Sequence, residues 1–262
     1  MSAPDPVGMS ATKMASTGER PVRIAMWSGP RNISTAMMRG FENRADCAVS
    51  DEPFYSAYLI RTGIDHPMRE AVIESQPSDY ARVVETLTGT PPGGAAIWYQ
   101  KHMCQHILDG DPLDWIAGVR NAFLIRDPRA VVASFVKERG MPAAFELGFQ
   151  RQVEIFDRAR TATGGVPPVI DAADVLADPP GALRALCAAL GIPFDPAMLS
   201  WPSGPRESDG VWAPVWYKAV EASTGFGTAN PAPRRLPDAL EAIAEQCRPA
   251  YERLAMHRLH MV

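Results

Sequence analysis

Residues Ser28, Gly29, Pro30, Arg31, Asn32, Ile33, Ser34 and Thr35 form a polar loop that interrupts an apolar run over 24–27. Apolar residues then return at helical spacing, as Ala36, Met37 and Met38 begin to show. Such a strand, loop and helix suits an anion, because the first N–H groups of a helix lack partners and carry the positive end of its dipole. Arg31 adds a full charge, and Ser34 and Thr35 add hydroxyl donors. A nucleoside triphosphatase loop reads G-x-x-x-x-G-K-[ST]; here Ile33 and Ser34 stand at its second glycine and its lysine. The loop is therefore suited to phosphate without evident magnesium chemistry.

A second break of the same kind follows the apolar run at 121–125. Arg126, Asp127, Pro128 and Arg129 intervene before residues 130–135 resume as a helix. Asp127 can accept from the free N–H groups of that helix, and Pro128 has no N–H to leave unpaired there. Arg126, as a planar fork, and Ser134, as a neutral donor, can reach one anionic group. Two further sites could accept a proton. Glu52 lies in Asp51-Glu52-Pro53 at the end of an apolar run, and His102 follows Lys101 at the end of another. On a regular strand Lys101 and His102 cannot both face inward. His106 lies four residues beyond His102, a spacing that on a helix places both on one face. No third metal ligand follows a recognisable pattern, so no metal is expected.

In combination and in this order, the two loops resemble those of the sulfotransferases that use 3′-phosphoadenosine 5′-phosphosulfate. The Asp51-Glu52-Pro53 segment and the segment G-V-W-A-P-V-W-Y-K over 210–218 sharpen the resemblance. It extends to bacterial sulfotransferase-like proteins and to the sulfotransferase-like region of plant branched-chain aminotransferase-like proteins. It spans residues 23–227, and no aminotransferase region is visible. The resemblance implies that residues 28–35 hold the 5′-phosphosulfate, with Arg31 at the transferring group where animal cytosolic enzymes carry lysine. Arg is a fork and lysine a point donor, so the geometry differs. The resemblance further implies that Arg126 and Ser134 hold the 3′-phosphate and that Lys218, on a covering loop, adds to them. Its base is Glu52, as in some branches, or His102, matching a K-x-H segment displaced by one residue. The family needs no metal.

The elements that must position these residues read as an α/β, P-loop-type doubly wound parallel sheet flanked by helices. Five short apolar runs, at 23–28, 46–51, 95–101, 121–126 and 167–171, alternate with longer helical patterns. Ligands in such folds gather at the carboxyl ends of strands, where both loops lie. Residues 174–190 read as one helix ended by Gly191, and residues 234–261 as a covering helix. The stretch 201–227 is rich in Gly and Pro yet holds Trp201, Trp212, Trp216, Tyr217 and Phe226, the composition of a binding lid.

With 262 residues, of which 46% are hydrophobic and 21% charged, the chain can bury one sizeable core. One domain is expected over 21–262, preceded by a disordered tail over 1–20 that lacks the features of a secretion signal. No apolar run approaches the roughly 18 residues of a membrane span. Cys47, Cys104, Cys187 and Cys247 are widely spaced, against a disulfide scaffold or metal ribbon. A net charge of −4, from 26 basic and 30 acidic residues, offers no broad face for nucleic acid. The expectation is a cytoplasmic sulfotransferase that passes a sulfuryl group to the hydroxyl or amine of a small-molecule acceptor. The acceptor and the oligomeric state stay open. Two alternatives remain: a P-loop kinase or phosphohydrolase using a nucleoside triphosphate, and a noncatalytic module that binds an adenosine bisphosphate.

Overall fold

The computed structural model describes residues 20–228 and 232–260. Apart from Arg20, the expected tail lies outside the described residues. The sheet is built from β1 (Val22–Ser28), β2 (Cys47–Asp51), β3 (Ile97–Met103), β4 (Arg120–Ile125) and β5 (Val169–Asp171). All its pairs are parallel, in the order β2-β3-β1-β4-β5. Helices α1 (Ser34–Glu42), α2 (Tyr55–Thr62), α3 (Arg69–Ser75) and α4 (Tyr80–Thr88) lie between β1 and β3 in the chain. Then come α5 (Pro128–Arg139) and α6 (Phe149–Thr163), before β5. The chain continues with α7 (Ala172–Ala177), α8 (Pro179–Ala189), the short α9 (Ala213–Trp216) and α10 (Lys218–Glu221), and α11 (Asp238–Ala255). This is the doubly wound α/β layer that the alternating apolar runs imply.

Side-chain alternation divides the core between the two faces of the sheet. Ile24 and Met26 of β1, with Ile97 and Tyr99 of β3, pack under α1, α7 and α8. Ala25 and Trp27, with Trp98 and Phe123, pack under α4, α5, α6 and α11. β1 and β4 are buried on both faces over most of their length and read as nearly continuous apolar runs, which makes them legible in the sequence, whereas edge strand β2 is mostly half-buried. β1 sits between β3 and β4, where successive crossovers leave in opposite directions. The crevice beyond its carboxyl end is the topological switch point.

The helix expected over 174–190 is two helices, α7 and α8, meeting at Asp178. Pro179 and Pro180 cannot donate to a preceding turn but fit the first turn of a new helix. The Asp178 carboxylate accepts from Gly181 N at 3.1 Å and caps that new start. The end is as expected, with Gly191 at φ +61° directly after the cap. The covering helix is shorter than the expected 234–261, α11 running from Asp238 to Ala255 and ending just past Leu254, the last residue of its apolar pattern; Met261 lies outside the described residues. No helix among the described residues is long and apolar enough to cross a membrane.

Candidate functional site

The loop after β1 owes its shape to unusual backbone conformations. Arg31 and Ile33 are both left-handed, at φ +61° and +54°, a conformation that costs a residue with a Cβ on the order of 1 kcal/mol or more. Asn32 pins the loop to the sheet, its Nδ2 donating to Leu124 O at 2.9 Å. Gly29 lies against the chain after α5: a Cβ there would collide with the Leu147 carbonyl oxygen. Ile33 gives α1 no side-chain cap, and no acidic residue occupies its first turn. Among the described residues, neither the Ser34 nor the Thr35 hydroxyl has a partner within the chain. The first N–H groups of α1 therefore open, uncapped, into a cleft of about 480 Å³ that Pro30, Arg31, Asn32, Ile33, Ser34 and Thr35 line.

The loop after β4 meets it there. Arg126 Nη1 donates to Arg31 O at 2.6 Å, and Arg31 Nε donates to Ser134 Oγ at 2.9 Å. Burial, followed by the nearby Arg31 charge, pulls the Arg126 pKa below its ordinary value. Two cations held this close favour an anion between them. The start of α5 takes no part: Asp127 accepts from Arg129 N at 2.9 Å and from Ala130 N at 3.2 Å and so satisfies it. The second loop thus offers Arg126 and Ser134, without free helix-terminal donors.

The carboxyl ends of β2 and β3 supply a buried ionic cluster. Lys101, 1% exposed, donates to Asp51 Oδ1 at 2.8 Å, Glu52 Oε1 at 2.7 Å and Tyr217 Oη at 2.6 Å. All three ammonium protons are engaged. Tyr217 donates to Asp51, and Trp212 Nε1 donates to Tyr217 Oη at 3.0 Å, which ties α9 and the residue after it to the sheet. Burial opposes the Lys101 charge, but Asp51 and Glu52 outweigh it and hold its pKa well above the usual lysine range. Glu52 adopts φ +40°. Burial, joined by the Asp51 charge, raises its pKa against the opposing pull of Lys101. Its second oxygen faces the cleft, 4.0 Å from His106 Nε2.

His102 is a correction. β3 alternates, and Lys101 and Met103 follow Ile97 and Tyr99 toward the cleft, whereas His102 follows Trp98 to the opposite face. There its ring stacks on Trp27 at 4.4 Å and lies near Phe54 and Trp115. It does not line the cleft, and burial depresses its pKa to about 3. His106 lies beyond the strand in a 3₁₀ turn (Cys104–His106), so the two histidines share no helix face. Lys218 is also misplaced: it is exposed, and its neighbours Trp216, Tyr217, Ala219 and Val220 line the cleft instead. Ser28 is fully buried beneath the loop, near His102 O and Met103 Sδ, and supports the loop from below.

Residues that sequence reasoning left without a role gather opposite the two loops. His106 stacks between Tyr55 at 4.6 Å and Tyr58 at 4.8 Å. His66 and Arg139 complete that wall. Of the expected lid, Trp216 lines the cleft, while Trp212 and Trp201 are buried in packing. A second cavity, about 390 Å³, lies beyond Asp51 against edge strand β2. No Arg, Lys or His among the described residues lines it, whereas Arg31, Lys101, Arg126 and Arg139 line the first cleft. Among the described residues, no three His, Cys, Asp or Glu side chains are grouped to hold a metal ion.

Three buried histidines make the fold acid-sensitive. Burial lowers His66 to about 4, His102 to about 3 and His106 well below 6.5. Unfolded, each titrates near 6.5. Their contribution is complete above pH 6.5 and is lost as pH falls toward the folded values, because only the unfolded chain takes up those protons. Glu52 and Asp171, both shifted upward, act in the opposite direction. The melting temperature is expected to drop from pH 7 to pH 5. In His102→Phe the slope of stability against pH should shrink by one proton, about 1.4 kcal/mol per pH unit between pH 6 and 4. An unchanged slope in denaturant titrations would remove His102 from the neutral core.

Comparison with known proteins agrees with this geometry. A family model described as a sulfotransferase domain matches residues 22–255. Branched-chain-amino-acid aminotransferase-like protein 2 of Arabidopsis thaliana is 37% identical over 238 residues, covering 90% of this chain and 42% of that protein. Branched-chain-amino-acid aminotransferase-like protein 1 of the same plant is 38% identical over 241 residues, covering 92% of this chain and 43% of that protein. The chain thus spans less than half the length of these relatives. The crystal structure of a sulfotransferase from Alicyclobacillus acidocaldarius shares the fold, with a TM-score of 0.52 at 12% identity over 92% of this chain and 97% of that one. A phosphate-type loop after β1, a cationic loop after β4 and a sulfotransferase-domain match across nearly all the described residues converge on one assignment: the chain belongs to the sulfotransferase domain family.

Proposed function

We propose that the protein is a sulfotransferase using 3′-phosphoadenosine 5′-phosphosulfate as donor and a small hydroxyl or amine compound as acceptor. The observation that carries this reading is the union of two distant anion-seeking loops, Arg126 donating to the main chain of Arg31 beside an uncapped α1. In this reading the N–H groups of α1, with Ser34 and Thr35, hold the 5′-phosphosulfate, and Arg126 and Ser134 hold the 3′-phosphate. Arg31 stabilises charge on the bridging oxygen as it leaves. The acceptor oxygen or nitrogen attacks sulfur in line, the bond from sulfur to the bridging oxygen breaks, and the acceptor proton passes to Glu52. The released product is 3′,5′-adenosine bisphosphate. Lys101 has no free proton to offer a ligand and serves to orient Glu52, and His106, neutral in this setting, flanks the same carboxylate.

Calorimetric titration tests the reading. The protein should bind 3′,5′-adenosine bisphosphate in preference to adenosine monophosphate, and without magnesium. Arg126→Ala should weaken that binding about 10- to 100-fold, the worth of a hydrogen bond to a charged group, with the melting temperature checked alongside. Preference for adenosine triphosphate with magnesium would instead mark a kinase or phosphohydrolase.

A further inference from the structure

α5 presents two adjacent faces to the cleft, because residues four apart stack along a helix. Ser134 and Glu138 turn toward Arg31: Ser134 accepts from Arg31 Nε, and a Glu138 carboxylate oxygen lies 3.9 Å from Arg31 Nη2. Phe135 and Arg139 turn toward the opposite wall. The Arg139 guanidinium carbon lies 5.7 Å from the Phe135 ring centre and 5.4 Å from that of Trp216. Among the described residues no carboxylate lies within 4.0 Å of it. Among those residues its one hydrogen bond is from Nη1 to His66 Nε2, at 2.9 Å.

That bond dictates the protons around it. A guanidinium only donates, so His66 Nε2 must accept and the imidazole proton must reside on Nδ1. His66 Nδ1 is 2.8 Å from Tyr55 Oη. The imidazole therefore donates to the tyrosine oxygen, and the Tyr55 hydroxyl proton is left free. Burial and the Arg139 charge both hold His66 neutral, lowering its pKa to about 4. This wall of the cleft thus presents a half-buried cation held by aromatic faces, with unused donors and, among the described residues, no carboxylate paired with it.

Resting on the sulfotransferase reading, we infer that Arg139, positioned by His66 and Tyr55, binds a carboxylate on the acceptor, so that the substrate class is a hydroxy or amino acid. A planar fork matches a carboxylate in two parallel hydrogen bonds. A single cation balances a monoanion, whereas a phosphate dianion would need a second cation, and Arg31 and Arg126 are committed to the other wall. The acceptor's nucleophile would then lie toward Glu52, away from its carboxylate.

The test uses matched probes on protein saturated with 3′,5′-adenosine bisphosphate: 4-hydroxyphenylacetate against its amide, and 3-hydroxyoctanoate against its amide. In calorimetry at least one acid should bind about tenfold more tightly than its neutral amide. Arg139→Gln should abolish that preference and Arg139→Lys retain part of it, both binding the bisphosphate as the parent does. Equal binding of acids and amides, binding of neither, or a preference that survives Arg139→Gln overturns the carboxylate assignment and leaves the nucleotide site standing. Failure of the parent protein to bind the bisphosphate overturns the sulfotransferase reading and this inference with it.

Discussion

Lys101→Met is expected to lower the melting temperature by about 10 °C at pH 7, and by less at pH 5. The substitution removes the cation that Asp51 and Glu52 share while leaving both carboxylates largely shielded from water, with side chains only 1% and 12% exposed. Breaking a buried ion pair from one side costs about 3–5 kcal/mol, because the remaining charge loses its counterion while still largely removed from water. In a domain of this size 1 kcal/mol corresponds to about 2–4 °C. Proton uptake relieves a stranded carboxylate, so the deficit should narrow as the solution becomes more acidic. Adding Asp51→Asn to the variant should restore part of the loss, as one of the two stranded charges is gone. Scanning calorimetry of the three proteins at both pH values settles the matter. A single-substitution loss below about 1 kcal/mol would show that the cluster is hydrated and contributes little.

The second large effect is on turnover. Glu52→Gln keeps the shape of the side chain and its contact with Lys101 but cannot take up a proton. Release of 3′,5′-adenosine bisphosphate from the donor, to an acceptor or to water, is expected to fall about 10²–10⁴-fold, with bisphosphate affinity unchanged. The sign of the pH dependence follows from the upward shift of Glu52 caused by burial and Asp51. If Glu52 is the base, as proposed, it works only when deprotonated, so the parent rate should rise with pH through that raised value and then level off. The variant should lack this acid limb. His106→Asn separates the neighbouring group: its ring is held neutral, well below 6.5, chiefly by burial, so the acid limb should survive its removal. Loss of the limb in His106→Asn and its survival in Glu52→Gln would transfer the base to the histidine.

Features generated within a few residues were legible in the chain. An apolar run broken by Ser28, Gly29, Pro30 and Arg31 and resumed at helical spacing encodes β1, the loop and α1, since each part follows from local composition. Arg126 through Arg129 is equally local, and Asp127 caps α5 as its residue type demands. Pro179 and Pro180 are a local signal as well. They end one helix and start another, and an apolar periodicity running through them conceals the break.

What the sequence by itself determined is the alternation of strands and helices, the two anion-suited loops and the opposition of Lys101 and His102. Each is a consequence of backbone period and residue type. Which of that pair enters the cleft was decided by packing: Trp27 on β1, paired in register with His102, provides an aromatic surface on one face. On the other face the acidic end of β2 lies in register with Lys101. The same holds for Tyr217, Arg139 and His66, which are far apart in the chain and carry no signal of association. Their roles arise because burial makes an unpaired charge or donor costly, and only the assembled fold brings each one its partner or leaves it open to a ligand.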